Sequence, residues 1–600
     1  MTTPPVLSVS NLTTSFLGSN GWREVVSDVS FDVKPGETVA VVGESGSGKS
    51  VTALSIMRLL DRDRSRITGS VRLEGQELLK LPEAAMRDIR GRRIGMIFQE
   101  PMTSLNPVLT VGVQIAETLK RHMGISRGDA RREAIRLMDK VHIPSAASRF
   151  SDYPNQFSGG MRQRIMIAMA LACGPRLLIA DEPTTALDVT VQAQILELIR
   201  ELQREQDTGV LFITHDMGVV AEISDRTLVM YRGACVEAGD TDAIFARPAN
   251  AYTRALLSAV PRLGSMSGRT LPARFPLADH VTGELSVPPE VEDTVQHDAE
   301  PIVTVENLSV RFAVRSGVLR KIGANIHAVE DLSFSVRRGE TLGIVGEPGS
   351  GKSTTGRAVL GLQKRTGGQI RLHGVRDAGI DRFRRELQMI FQDPFASLNP
   401  KRPIGRAIAD PLVFHDRIGL AEARRRAEEL LVTVGLPAEV YDRFPNEFSG
   451  GQRQRICIAR ALALQPELII ADEAVSALDA SVKAQIINLM LDLQQARGLA
   501  YIFISHDMAV VERICHRVAV MLMGEIVEIG PRKAVFDDPQ HPYTKRLMAA
   551  VPIPDPARRY RERSTAVVEL KSAMRPVDWV PPRRAYREVA PDHFVQIVEE

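Results

Sequence analysis

FSGGMRQR at 157–164 returns almost unchanged as FSGGQRQR at 448–455. LLIADE at 177–182 returns as LIIADE at 468–473, and FITHDM at 212–217 as FISHDM at 503–508. Ser158 and Ser449, Glu182 and Glu473, and His215 and His506 are each 291 positions apart. Solenoid repeats run to tens of residues, so a period this long means two domains, each with its own core. The first copy occupies 1–261 and the second 301–552 of the 600 residues. Between them, 262–300 contains SVPPEVEDTVQHDAEP, rich in proline and acid and without a sustained apolar period, which predicts a linker. The tail 553–600 is similarly rich in proline and charge and receives no assignment. Lys49 and Lys352 are 303 positions apart but Gln99 and Gln392 only 293, so the first copy carries about ten extra residues in that interval.

Within each copy the pattern is β then α. TVAVV at 38–42 and TLGIV at 341–345 are short apolar runs that lead into glycine loops, the mark of buried strands. LLIAD and LFITH are two more in the first copy, matched by LIIAD and YIFIS in the second. Ala134, Leu137, Met138 and Val141 fall on one face of a helix, and Ala427, Leu430, Leu431 and Val434 repeat that stripe. Both stripes predict core packing, with Arg131, Arg132 and Glu133 on a solvated face.

Composition excludes several classes. The net charge of +3 is too small for a polyanion binder, so nucleic acid is not indicated. No run of about 18 apolar residues appears, which predicts no membrane span. The N-terminus MTTPPVLSVSN has no basic stretch followed by an apolar one, so no signal peptide is expected. Cys173, Cys235, Cys457 and Cys515 show no metal-ligand spacing and are expected to be buried thiols in a reducing compartment.

Four motifs carry chemistry. Gly43-Glu44-Ser45-Gly46-Ser47-Gly48-Lys49-Ser50 follows a strand, as does Gly346-Glu347-Pro348-Gly349-Ser350-Gly351-Lys352-Ser353. The glycines let backbone N–H groups wrap a phosphate, and the helix that follows turns its positive end toward it. In this pattern Lys49 and Lys352 reach the β and γ phosphates, and Ser50 and Ser353 ligate Mg²⁺. A glycine-rich turn alone can be merely structural, but two full eight-residue matches in strand context outweigh that reading.

An apolar strand ending in Asp-Glu comes second. Alone, such a pair is more often a helix N-cap. About 130 residues beyond a phosphate loop, after SGG and a helix, Asp181 and Asp472 read as Mg²⁺ holders and Glu182 and Glu473 as general bases that polarise water. A lone histidine is usually a satisfied surface or core residue, as His122 and His142 are read here. The identical contexts of His215 and His506 instead favour a γ-phosphate contact. Finally, Ser158-Gly159-Gly160 and Ser449-Gly450-Gly451 open helices, each a possible second anion site. Two anion sites per domain suggest that one serves a neighbour's nucleotide.

Taken in order, these residues resemble the ABC ATPase superfamily over about 16–250 and 312–540. The resemblance implies an α/β fold of two tandem P-loop nucleotide-binding domains. Each has a RecA-like core, an antiparallel β subdomain and an α-helical signature subdomain. It implies head-to-tail packing, with Lys49 facing Ser449, Gly450, Gly451 and Gln452, and Lys352 facing Ser158, Gly159, Gly160 and Met161. Ala186-Leu187-Asp188 and Ala477-Leu478-Asp479 look like D-loops, and Phe16 and Phe312 like the adenine-stacking aromatics. FQEPMTSLNP and FQDPFASLNP look like Q-loops of the peptide/nickel importer group, with Gln99 and Gln392 touching Mg²⁺. AYTRALLSAVP at 251–261 and HPYTKRLMAAVP at 541–552 resemble that group's C-terminal motif. The fused arrangement looks most like glutathione, dipeptide and oligopeptide import ATPases.

The resemblance implies ATP and Mg²⁺ as cofactors and ATP hydrolysis coupled to import. It also implies two transmembrane permeases, an extracytoplasmic binding protein, and a peripheral place on the cytoplasmic face of the inner membrane. Some relatives carry a C-terminal cysteine cluster for iron–sulfur; the last cysteine here is Cys515, so none is expected. Met161 replaces the usual signature glutamine, and Ser45 in one loop stands opposite Pro348 in the other; both leave the catalytic groups intact. The alternative is a tandem ATPase acting on ribosomes or DNA, which predicts a charged helical linker, a coiled-coil insertion or zinc cysteines. None is visible, and that reading leaves the FQEP and YTRAL segments without a role.

Overall fold

The runs TVAVV and TLGIV form strands Thr38–Val42 and Thr341–Val345, with every residue buried. They are the centres of two sheets in a computed structural model that describes residues 4–18, 21–99, 104–184, 189–279, 282–286, 288–316, 321–376, 380–559, 574–582 and 584–597. Ala186, Leu187 and Asp188, and positions 100–103 of the first FQEP segment, lie outside the described residues.

In the first copy Thr38–Val42 lies between Gly209–Thr214 and Arg226–Tyr231, parallel to both. Leu177–Asp181 and Ile94–Ile97 continue the sheet in parallel, and Ala234–Asp240 closes the other edge antiparallel. The second copy repeats this order from Leu387–Ile390 to Glu525–Pro531. Parallel strands need crossover helices on both faces, which is why these runs are apolar throughout rather than alternating. A separate antiparallel sheet covers one side of each core, built on Leu7–Gly18 with Gly21–Val33, and on Val303–Ser316 with Lys321–Val336. Helices Val111–Met123, Arg127–Lys140 and Gly159–Leu171 form the helical part of the first copy. Ile404–Pro411, Leu420–Thr433 and Gly450–Leu462 form that of the second. The two predicted apolar stripes are buried at all eight positions, and Arg131 and Arg132 are exposed. The expected α/β core, antiparallel sheet and helical portion are therefore present twice.

The segments after each copy cross to the other copy. Gly264 N–H donates to the Glu512 carboxylate, Ala273 N–H to the Arg513 carbonyl, and Arg532 to the Met266 and Arg269 carbonyls. Phe275, 2% exposed, sits in the core of the second copy under the Arg513 guanidinium. In the opposite direction, Arg559 reaches Asp225 and Asp242 of the first copy, and Arg200 donates to the Arg559 carbonyl. The tail then adds strands to the second copy. Met574–Pro576 pairs with Lys321–Val336, and His593–Gln596 pairs with Glu525–Pro531.

Burial of the cysteines differs from expectation. Cys457 and Cys515 are buried, but Cys173 and Cys235 are only half-buried. Cys235 lies on the edge strand Ala234–Asp240, and Cys173 follows the end of helix Gly159–Leu171.

Candidate active site

Each glycine loop runs from the C-terminal end of the central strand into a helix, at Lys49–Ile56 and Lys352–Val359. Gly43 and Gly346 have φ of 152° and 151°, and a Cβ on either would lie 2.2–2.3 Å from a carbonyl oxygen, of Met230 or Met521. Only glycine fits this close approach. Lys49 Nζ donates to the Gly43 and Glu44 carbonyls at 2.7 and 2.9 Å, and Lys352 Nζ to those of Gly346 and Glu347 at the same distances. Both lysines are buried at the base of the loop. Burial lowers the Lys49 pKa, against the pull of Asp479, Glu182, Asp181 and Glu44.

The Asp-Glu strand ends meet these loops. Ser50 Oγ donates to Asp181 Oδ1 at 3.0 Å, and Ser353 Oγ to Asp472 Oδ1 at 2.7 Å. Burial raises Asp181 to about 6, with the Glu182 charge adding and the Ser50 hydrogen bond opposing. Asp472 is raised for the same reasons. Asp472 Oδ2 is buried without a hydrogen-bond partner among the described residues, and so is Ser350 Oγ. A buried carboxylate oxygen left unsatisfied beside a hydroxyl suits a hard cation such as Mg²⁺, which takes few protein oxygens and keeps others for phosphate and water.

Gln99 Nε2 donates to Glu182 Oε2 at 3.1 Å, and Gln392 Nε2 to Glu473 Oε2 at 2.7 Å. On the other side His215 Nδ1 lies 3.3 Å from Glu182 Oε1, and His506 Nδ1 lies 3.5 Å from Glu473 Oε1. Both glutamates have φ of 48°, a left-handed conformation that turns the side chain out of the strand direction toward the loop. Burial works against charging His215, yet its Glu182 contact and the nearby Asp479 and Asp216 raise its pKa. Burial likewise opposes ionisation of Glu473, but the His506 contact and Lys352 lower its pKa. Glutamine, glutamate and histidine from three different elements thus converge beside the serine–aspartate pair, once in each copy.

The glycine pairs at 159–160 and 450–451 start helices capped by Ser158 and Ser449. Gln452 completes a reciprocal cap with Ser449, whereas Met161 in the first copy has no group to return to Ser158. A Cβ on Gly450 would lie 3.9 Å from Leu478, and one on Gly451 2.3 Å from Val482. The same stretch of chain touches the first copy's loop, since Ser45 N–H donates to Asp479 Oδ2 at 2.9 Å and Ser481 Oγ donates to Glu44 Oε1. The segment from Leu478 to Val482 therefore lies beside both the first phosphate loop and the second copy's SGG helix. Thr190 Oγ1 donates to Glu347 Oε1 at 3.0 Å in the reverse direction. A cavity between the copies is lined by His215 and Asp216 on one side and His506, Asp507 and Lys483 on the other. Phe16 and Phe312 stand on the antiparallel sheets, the first half-buried and the second exposed.

Sequence reasoning missed Tyr252, Tyr543, Thr190 and Ser481, all of which touch a phosphate loop. Their signal was present: each pair is 291 positions apart, the interval of the repeat.

The ABC transporter family model matches residues 26–185 and 329–476, and the model for the oligopeptide/dipeptide transporter C-terminal region matches 236–280 and 527–574. A glutathione import ATP-binding protein of Pectobacterium atrosepticum is 54% identical, over 98% of this chain and 96% of its own length. One from Escherichia coli K12 is 56% identical, over 93% of this chain and 91% of its own. With the two matches of the ABC transporter model falling on the two loop-and-carboxylate clusters, this chain belongs to the ABC transporter family and is an ABC-type ATPase.

Proposed function

We propose that this chain is the energy-coupling subunit of an importer for glutathione or for di- and oligopeptides, hydrolysing ATP at two composite sites. The observation that carries it is the twofold convergence of Ser50, Asp181, Glu182, Gln99 and His215, and of Ser353, Asp472, Glu473, Gln392 and His506. Gly43 to Ser50 and Gly346 to Ser353 wrap the phosphates, while Phe16 and Phe312 offer the adenine a stacking face. Ser50 with Asp181 and Gln99, and Ser353 with Asp472 and Gln392, would hold Mg²⁺, which would supply charge neutralisation at the phosphates. Glu182 and Glu473 accept a proton from the attacking water, and His215 and His506 orient it. The SGG helix of the opposite copy closes each site, a reading supported by the Asp479 and Ser481 contacts.

Closure of the copies on ATP pulls on two permeases, and hydrolysis releases them. This places the chain on the cytoplasmic face of the inner membrane, held there by the permeases, with a binding protein delivering cargo from the other side. No helix among the described residues is long and apolar enough to cross a membrane. The cargo class rests on the names of the relatives and on the C-terminal region match. Reconstitution of the chain with its permeases and binding protein tests it. ATP-dependent uptake of labelled glutathione or of a dipeptide is expected, and uptake of neither removes the cargo class.

A further inference from the structure

One residue in each phosphate loop is held from three directions. Glu44 offers its carbonyl to Lys49 Nζ at 2.9 Å, its carboxylate to the Ser481 hydroxyl of the other copy, and its N–H to the Tyr252 phenolic oxygen at 3.0 Å. Glu347 repeats all three, with Lys352 at 2.9 Å, Thr190 at 3.0 Å and Tyr543 at 3.0 Å. The tyrosines are 291 positions apart and lie in the C-terminal region of each copy, outside every nucleotide motif.

Both phenols are built into place. Tyr252 is 2% and Tyr543 4% exposed. Each is the second residue of a helix, Ala251–Ser258 or Pro542–Ala549, and its own N–H is capped by Asn250 or His541. The Tyr252 ring lies against Tyr231 with centroids 4.3 Å apart, and the Tyr543 ring lies 5.3 Å from the Arg546 guanidinium carbon. Gly43 and Gly346, immediately before the held residues, have no side chain to restrain the backbone. Beyond the close packing of these glycines on the Met230 and Met521 carbonyls, restraint on the first turn of the loop comes from hydrogen bonds.

We propose that Tyr252 and Tyr543 are positioning residues for ATP, each fixing the second residue of its own phosphate loop so that the loop lysine and the hydroxyl of the opposite copy engage together. Removing the phenolic oxygen leaves a backbone N–H without its partner, part-buried at Glu44 and buried at Glu347, a loss that reads as about tenfold in affinity. The effect is expected at one site per tyrosine, because the loop N–H that each phenol holds is that of its own copy. This rests on the assignment of the two loops as ATP sites.

The test is equilibrium ATP binding by calorimetry on the full chain, with one site disabled at a time. In the Lys352→Ala background, Tyr252→Phe should weaken ATP about tenfold, and in the Lys49→Ala background it should change nothing. Tyr543→Phe should show the reverse. Phenylalanine keeps the ring packing, so a general structural defect would weaken both backgrounds equally; that result, or no change in either, overturns the proposal. Should a phenylalanine variant fail to fold, Ser481→Ala serves the same test. Carried by the second copy, it must weaken the Lys49 site and spare the Lys352 site, and the opposite pattern overturns the three-way anchor. If Lys49→Ala and Lys352→Ala leave ATP binding intact, the loop assignment itself falls, a result distinct from the failure of the tyrosines alone.

Discussion

Asp479 Oδ2 accepts a hydrogen bond from the Ser45 N–H at 2.9 Å, joining residues 434 positions apart across the junction of the two copies. Asp479 is also the largest of the charges that oppose the lowering of the Lys49 pKa by burial. The second copy therefore contributes to the electrostatics of the first copy's phosphate loop.

Replacing Asp479 with alanine removes that contact. Charge-assisted hydrogen bonds contribute about 1.5–3 kcal/mol, and the exposed Ser45 N–H can turn to water, which favours the lower figure. The expected result is about a tenfold fall in kcat/KM for ATP. Steady-state ATPase assays over a range of ATP concentrations read this, and an unchanged kcat/KM removes Asp479 from the site.

Glu182→Gln combined with Glu473→Gln should abolish turnover and leave ATP binding in place. Glutamine keeps the shape and the partners Gln99 and Gln392 but cannot take a proton. Loss of a general base costs about 10²–10⁴-fold in rate. Single-turnover hydrolysis beside a binding measurement separates the two effects. Appreciable hydrolysis by the double variant would assign the base elsewhere.

Burial pushes the Asp181 carboxyl up to about 6, above its ordinary value of 3.8. A carboxyl raised in the folded state stabilises the fold below its unfolded value, and that contribution is lost as pH rises through about 6. A bound divalent cation needs the ionised form. The rise in thermal midpoint caused by MgATP should therefore grow as pH increases from about 5 to 7. In Asp181→Asn the growth due to the first site should disappear. A pH-independent Mg²⁺ effect in the parent would show that Asp181 is ionised throughout this range.

Phe275→Ala tests the seating of the connecting segment. The ring is buried in the second copy's core and capped by Arg513. Truncating a buried phenylalanine costs about 3–5 kcal/mol when the site cannot collapse. Urea unfolding should show the transition of the second copy lowered by about 3 kcal/mol, with the first copy's transition unmoved. A shift below about 0.5 kcal/mol would mean that the segment is a tether only.

The candidate catalytic residues were legible because their motifs are local. A glycine loop between strand and helix, an Asp-Glu pair at a strand end and a histidine at the next strand end each announce themselves within a few residues. Their convergence followed once the parallel sheet set those strand ends side by side, as Asp181 beside Ile213 illustrates. The connecting segment and tail were not legible in this way. Strands such as Met574–Pro576, only three residues long, have no period to detect, and Phe275 is a lone aromatic in a proline-rich stretch. Tyr252 and Tyr543 were visible as a repeated motif, but nothing near them in sequence points to a phosphate loop.

The sequence by itself determined that the chain holds two copies of one nucleotide-binding fold, and which residues in each are the candidates to bind and cleave. Spacing within a loop or along a helix is enough for that. Only the tertiary structure decided how the halves combine: Glu44 meets Ser481, Glu347 meets Thr190, and each C-terminal segment crosses to the other copy. Those contacts depend on the rigid placement of one folded body against another. That placement is set by the fit of whole surfaces, which no local run of residues encodes.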